Sequence, residues 1–550
     1  MTATSTPEPA AAKPKPEAAK PAGLIRSSLV NSGFTLVSRF AGLLRDLALS
    51  YSMGASAGFV ADAFNTAWAF PNLFRRIFGE GAFSSAFVPA YSRSLVTDGE
   101  EVADVLAADA MATLAAASLA ITVVAELAMP WLMYLIAPGF AANPEKFKLA
   151  ILLTQITMPY LPCMAIYAHL SGVLNARNRF ILSGAAPILL NLWTLATVLP
   201  AKTPHEAAVW GSWGIILAGI SQAALLWWGV RRSGARVDVR WPRLTPEIKK
   251  LIGLAIPGAI AASATQISVF VSGILVSQVN GARSWLFYCE RLYQLPQGLI
   301  GVAIGVALLP RLSRSIHVGD EKGAGAAMDQ AVIFSMAFAL PCAVALITIP
   351  FFLIDAMYTR GQFTVADAHR TANALFFYGW GVPAFVAAQL FNRAFFARQD
   401  TATPMRLGFV SVAANVAVGV SLFYLIGVPG VAAATTVAWW TNVVMMAVAL
   451  WRRSHYRPTP QAVDRLLRIL AANVGLALAL VAVNHWREAI QGAFGHLHLW
   501  KIGAKEFAIG LVAVGAAGLY PLLLFGSGGM TIAEVRAALR GRRVAAEDLS

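Results

Sequence analysis

Apolar runs of eighteen or more residues follow one another along nearly the whole chain, and this removes most architectures from consideration. A run of that length can cross the hydrocarbon core of a bilayer as a helix, where every backbone amide is satisfied within the segment. The alternative, a spanning β-barrel, needs segments of about ten residues that alternate apolar and polar. No such alternation is present. Only 13% of the residues are charged, and mean hydropathy is +0.62, whereas soluble domains carry roughly 25% charge. The expected fold is an all-α polytopic membrane protein.

Polar, Pro and Gly clusters divide the chain into fourteen spanning segments, near 24–51, 59–92, 102–136, 149–174, 181–200, 209–230, 251–278, 286–310, 324–357, 371–397, 407–426, 431–451, 469–484 and 507–526. Loops after even-numbered segments hold 20 Lys and Arg, and loops after odd-numbered segments hold nine. The positive-inside rule then puts both termini in the cytoplasm. Residues 1–22, "MTATSTPEPAAAKPKPEAAKPA", lack an apolar core and are expected to be a disordered tail, not a signal peptide; 528–550 form a second cytoplasmic tail. The net charge of +15 is scattered through the loops. It fits topology better than a nucleic-acid partner. Cys163, Cys289 and Cys342 sit singly in apolar segments, without disulfide or metal spacing.

Sliding the chain against itself exposes a duplication. At an offset of 221, Pro89 meets Pro310, Arg93 meets Arg314, Pro162 meets Pro383, Ala176-Arg177 meets Ala397-Arg398, and Arg231-Arg232 meets Arg452-Arg453. Six segments per repeat give both copies the same orientation, so the expectation is two parallel repeats with a site between them. The first lobe spans 23–230, a cytoplasmic linker 231–250, and the second lobe 251–451. Two extra helices and their preceding loop fill 452–527.

Ionised side chains lie inside these segments. "PNLFRRIFGEGAFSSAFVP" (71–89) carries Arg75, Arg76 and Glu80, with Asp62 earlier in the same segment, and Arg39, Arg45, Arg291 and Arg393 lie in other segments with Asp46 and Glu290. A mid-membrane arginine costs roughly 2.5–3.5 kcal/mol on insertion scales, so such a set needs partners or a wet cavity. Arg76 and Glu80 are one turn apart and can pair. Asp62, fourteen residues before Arg76, falls near the same helix face. Arg75 points about 100° away. Arg39 and Asp46 share a face of their helix, and Arg45 points elsewhere unless Gly42 bends it. Arg291, five residues before Pro296, comes from the other repeat. Two readings stand: a mutually neutralised structural network, or an aqueous cavity whose arginine forks receive phosphate oxygens.

The stretches "SRFAGLLRD" (38–46), "ADAFNTAWAFPNLFRRIFGEGAFSSAFVP" (61–89), "YCERLYQLPQGLIGVAIGVALLPRLS" (288–313) and "ARQDTATP" (397–404) resemble the MurJ/MviN family. These are lipid II flippases of the multidrug/oligosaccharidyl-lipid/polysaccharide exporter superfamily. Glu290 and Gln294 depart from the family, whose members often carry aspartate at the first position and in some cases glutamate at the second. The resemblance implies substrate-binding arginines at Arg39, Arg45, Arg75 and Arg291, supported by Asp46, Asp62, Arg76, Glu80 and Glu290. It also implies a bacterial inner-membrane transporter of lipid II, without cofactor or metal, driven by the membrane potential or a coupling ion. Membrane lipids and cell-wall synthesis proteins are its expected partners. On the same fold, the alternative is an exporter of another polyprenyl-pyrophosphate-linked sugar or of a drug. An enzyme acting on polyprenyl phosphates would also need a carboxylate pair, nucleophile or metal cluster. The acidic run Asp98, Glu100, Glu101 and Asp104 instead reads as a helix start, and His485, His496 and His498 offer only a His-x-His spacing.

Overall fold

The computed structural model describes residues 21–56, 58–77, 83–307, 312, 314–316, 318–496 and 503–534. The side chains of Arg75 and Arg76, all of Glu80, Pro310 and most of both tails lie outside the described residues.

The described residues form helices and no strand. In the first half these are α1 (Pro21–Met53), α2 (Val60–Ile77), α3 (Phe83–Thr97), α4 (Glu100–Ile136), α5 (Pro144–Thr157), α6 (Tyr160–Ala176), α7 (Phe180–Ala185), α8 (Pro187–Val198) and α9 (Pro204–Arg232). The second half continues with α10 (Pro246–Val276), α11 (Ala282–Ala307), α12 (Glu321–Thr348), α13 (Pro350–Tyr358), α14 (Val365–Ala397), α15 (Ala402–Ile426) and α16 (Val428–Arg452). Then follow α17 (Pro460–His485), α18 (Arg487–Ala493) and α19 (Ala504–Gly526). Ten stretches among the described residues are long and apolar enough to cross a membrane; α5 with α6, and α7 with α8, each form one of them.

Helix starts are set by caps, and several precede the apolar run. Asn143, Thr203, Thr245, Thr364 and Thr459 each accept a hydrogen bond from the following turn, four of them with Pro at the first helical position. The linker expected at 231–250 therefore ends at Thr245, and the loop expected at 452–468 ends at Thr459. Arg465 and Arg468 ride on α17. Arg283, expected in an external loop, belongs to the first turn of α11.

The duplication recurs in local geometry at the same offset. Asn143 and Thr364 cap equivalent helices. Asn178 and Gln399 both adopt left-handed backbone, with φ of 59° and 60°. Arg177 pairs with Glu100 at 3.6 Å, and Arg398 pairs with Glu321 at 3.0 Å. Asp104 differs from the helix-start role expected of it. It is buried in α4, where it accepts from Tyr91, Arg177 and the Arg236 backbone N–H. It thus ties the chain leaving α9 back to the first half.

Two apolar cores lie in the first half and one large core in the second. The last helices pack on the second half: Ile469 of α17 and Leu524 of α19 join Ile333 and Ala337 of α12 in one cluster, and Tyr520 donates to the Ala337 carbonyl at 2.6 Å.

Candidate functional site

A cavity of about 1010 Å³ lies between the halves. Among the described residues, its charged lining comes from two helices: Arg39, Arg45 and Asp46 of α1, and Arg283, Glu290 and Arg291 of α11. Four arginines against two carboxylates leave a formal charge of +2 among the described lining residues.

Asp46 organises this set. One carboxylate oxygen accepts from Arg45 Nη2 at 2.7 Å and Nε at 3.0 Å. The other accepts from Arg291 Nε at 3.0 Å. A single acid thus joins arginines from both halves of the chain. Arg45 also donates to Asn191 Oδ1 at 3.0 Å and lies over the Trp68 ring, while Asn191 donates to the Ser38 carbonyl of α1. Arg45 therefore folds back onto its own neighbour, Asp46. Both Arg45 and Asp46 are buried, while the Arg291 side chain is 32% exposed and stands over Phe287. Arg39 faces the cavity exposed, without an ion-pair partner among the described residues. Glu290 lines the same space and accepts from Tyr378 at 3.3 Å. Arg393 lies on α14 and is not part of the lining.

Asp62 belongs elsewhere. The fourteen residues separating it from Arg76 amount to about 21 Å along a helix, so a shared face is not a shared site. It is fully buried and accepts from Lys146 Nζ at 2.7 Å, Gly281 N–H at 2.7 Å, Ser284 N–H at 3.0 Å and the Ser284 hydroxyl at 2.9 Å. Lys146 donates onward to Asn280. Asp62 thereby caps α11 and latches the first half to the second. Neighbouring contacts close the same end. Gly139 N–H donates to Ser277 Oγ at 3.1 Å, Tyr288 to the Gly54 carbonyl at 3.2 Å, and Gln362 N–H to the Tyr51 carbonyl at 3.0 Å. Ser56 donates to Asp367, which also accepts from Trp285.

Sequence reasoning missed Arg283, Lys146 and Asn191. Arg283 had a readable signal: positions 283, 287, 290, 291 and 294 form one helical stripe once α11 starts at Ala282, and all of them line the cavity. Lys146 and Asn191 had none, because their partners are 84 and 146 residues away. Among the described residues, no three His, Cys, Asp or Glu side chains gather as a metal site.

The comparisons agree with one another. A family model described as "Lipid II flippase MurJ" matches residues 49–504. A protein of Rhizobium tropici named "Probable lipid II flippase MurJ" is 36% identical over 527 residues, covering 95% of this chain and 98% of the relative. "Lipid II flippase MurJ" of Burkholderia cenocepacia is 31% identical over 470 residues, covering 84% and 90%. In fold, the chain resembles a solved structure titled "Lipid II flippase MurJ, inward closed conformation", with a TM-score of 0.74 at 22% identity, covering 90% of this chain and 99% of that one. An inward-facing multidrug transporter of the MATE family gives 0.62 at 14% identity, covering 78% and 97%. With its spanning helices, its arginine cavity between duplicated halves and these full-length relatives, this multi-pass membrane protein belongs to the MurJ lipid II flippase family.

Proposed function

We propose that the protein carries lipid II from the cytoplasmic to the outer leaflet by alternating access, holding its pyrophosphate with Arg39, Arg45, Arg75 and Arg291. The observation that carries this reading is the Asp46 bridge between Arg45 and Arg291 in a cavity of formal charge +2. The bridge leaves the Arg291 Nη groups and the whole Arg39 fork available, and guanidinium forks bind phosphate oxygens in pairs. About two ligand charges meet about two site charges.

The two lobes in this reading are 23–230 and 251–451, related without inversion, with both termini cytoplasmic in the bacterial inner membrane. The latch around Asp62 then closes the external end. Lobe rocking breaks it as the cytoplasmic end shuts. No covalent bond changes, so the protein acts as a carrier and not as an enzyme. Two negative charges crossing the whole field outward gain up to ~4.6 kcal/mol per 100 mV, cytoplasm negative.

Charge reversal tests the site. Arg39→Glu, Arg45→Glu and Arg291→Glu should each abolish the appearance of lipid II on the outer face, read by protease or toxin access in depleted cells, at near-normal membrane abundance. Normal translocation would remove the pyrophosphate role. Loss of the proteins from the membrane would assign the arginines to structure.

A further inference from the structure

In the second half, α17 and α19 cover part of α12. Ile333 and Ala337, on the outer face of α12, are buried beneath α17 and α19 against Ile469 and Leu524. The position 221 residues before Ile333 is Ala112, on α4. Ala112, itself buried, lines an open groove of about 340 Å³ with Met111, Ala115, Ile166, Ala224 and Trp227.

The rim of this groove is cationic. Val239 and Arg240 of the linker after α9 reach it, and the Arg231 guanidinium stands 5.5 Å from the centroid of the Trp227 ring. Arg232 stands over Trp228 at 4.7 Å. Residues 231–250 hold seven Lys and Arg against Asp238 and Glu247. The linker is fixed in place: Asp104 accepts the Arg236 N–H at 2.6 Å, and Ala235 and Val237 are buried in the first-half core. Beside Arg240, Val239 is 79% and Trp241 86% exposed, although nothing polar explains either.

We propose that this groove binds one acyl chain of an anionic bilayer phospholipid, with Arg231 and Arg240 on its phosphate. The floor of alanine, methionine and isoleucine offers a chain van der Waals contact and asks for no hydrogen bond. Cations at one end of an apolar slot match an acyl chain with a charged head, and an exposed Trp beside them suits the headgroup layer. The bound lipid pins the linker that joins the two halves.

The test is native mass spectrometry of the full chain released from vesicles of phosphatidylglycerol and phosphatidylcholine. Arg231→Gln with Arg240→Gln should lower retained phosphatidylglycerol about tenfold, since each cation at the membrane surface contributes to anionic-lipid binding. Ala115→Phe, which fills the groove and leaves every charge in place, should lower it as much. Arg243→Gln with Lys249→Gln, equal in charge but away from the groove, should leave retention unchanged. Equal losses in this last variant would mean diffuse surface attraction and overturn the site. So would full retention in Ala115→Phe. Displacement of phosphatidylglycerol by undecaprenyl phosphate would give the groove to the substrate's tail, and a co-purifying protein that shields Ala115 from labelling would give it to a partner helix; either result overturns the proposal.

Discussion

Replacing Asp62 with Asn removes one charge and reverses one hydrogen-bonding atom at the latch. The oxygen that meets Ser284 is retained. The other becomes an NH₂ facing two donors, Lys146 Nζ and Gly281 N–H, both at 2.7 Å in the native chain. Each lost charge-assisted bond costs about 1.5–3 kcal/mol, and a buried ammonium without its carboxylate costs about 3–5 kcal/mol. These terms overlap at Lys146, whose side chain is 5% exposed, so about 4 kcal/mol is a working total. Because the latch joins the halves, this falls on the closed state of that end and shifts its ratio to the open state by about a thousandfold. Spin labels on exposed Ala141 and Gln278, one in each half, read the change by electron paramagnetic resonance. The native distribution should be narrow and short, and the Asp62→Asn distribution should gain a long component. Adding Lys146→Met should cost little more, because the stranded ammonium is then gone. An unchanged distribution in Asp62→Asn, or fully additive losses in the double variant, would refute the latch.

Two other sets of substitutions probe different parts of the mechanism. A Cβ on Gly139 would fall on the Ser277 carbonyl and the Gln278 amide, neither of which can swing away, so Gly139→Ala should open the same end and lower lipid II transport at least about tenfold; Gly510→Ala, which meets open space, is the control. Lysine keeps charge without the planar fork, so Arg75→Lys should weaken lipid II transport more than Arg76→Lys, and Glu80→Gln should partly rescue Arg76→Ala. Equal losses without rescue would mean that both arginines contact the substrate.

The membrane class and the duplication were legible before any coordinates, because both rest on local or periodic signals. An apolar run needs no distant partner to be recognised, and the offset of 221 reappears in caps, left-handed residues and ion pairs. The sequence also marked Arg39, Arg45, Asp46 and Arg291 as out of place in an apolar core. Helix starts were less legible, since Thr245 and Thr459 begin helices several residues before hydropathy rises. Which charge meets which follows from the packing of the helices alone. Helical spacing grouped Asp62 with Arg76, yet Asp62 binds Lys146 and the start of α11. It set Arg45 off the face shared by Arg39 and Asp46 unless Gly42 bent the helix, yet Arg45 turns to its neighbour Asp46, which reaches across to Arg291. A helix fixes the direction in which a side chain leaves the backbone. The partner it meets depends on which other helix has been packed within reach, and an ion pair forms over the last few ångströms of that packing.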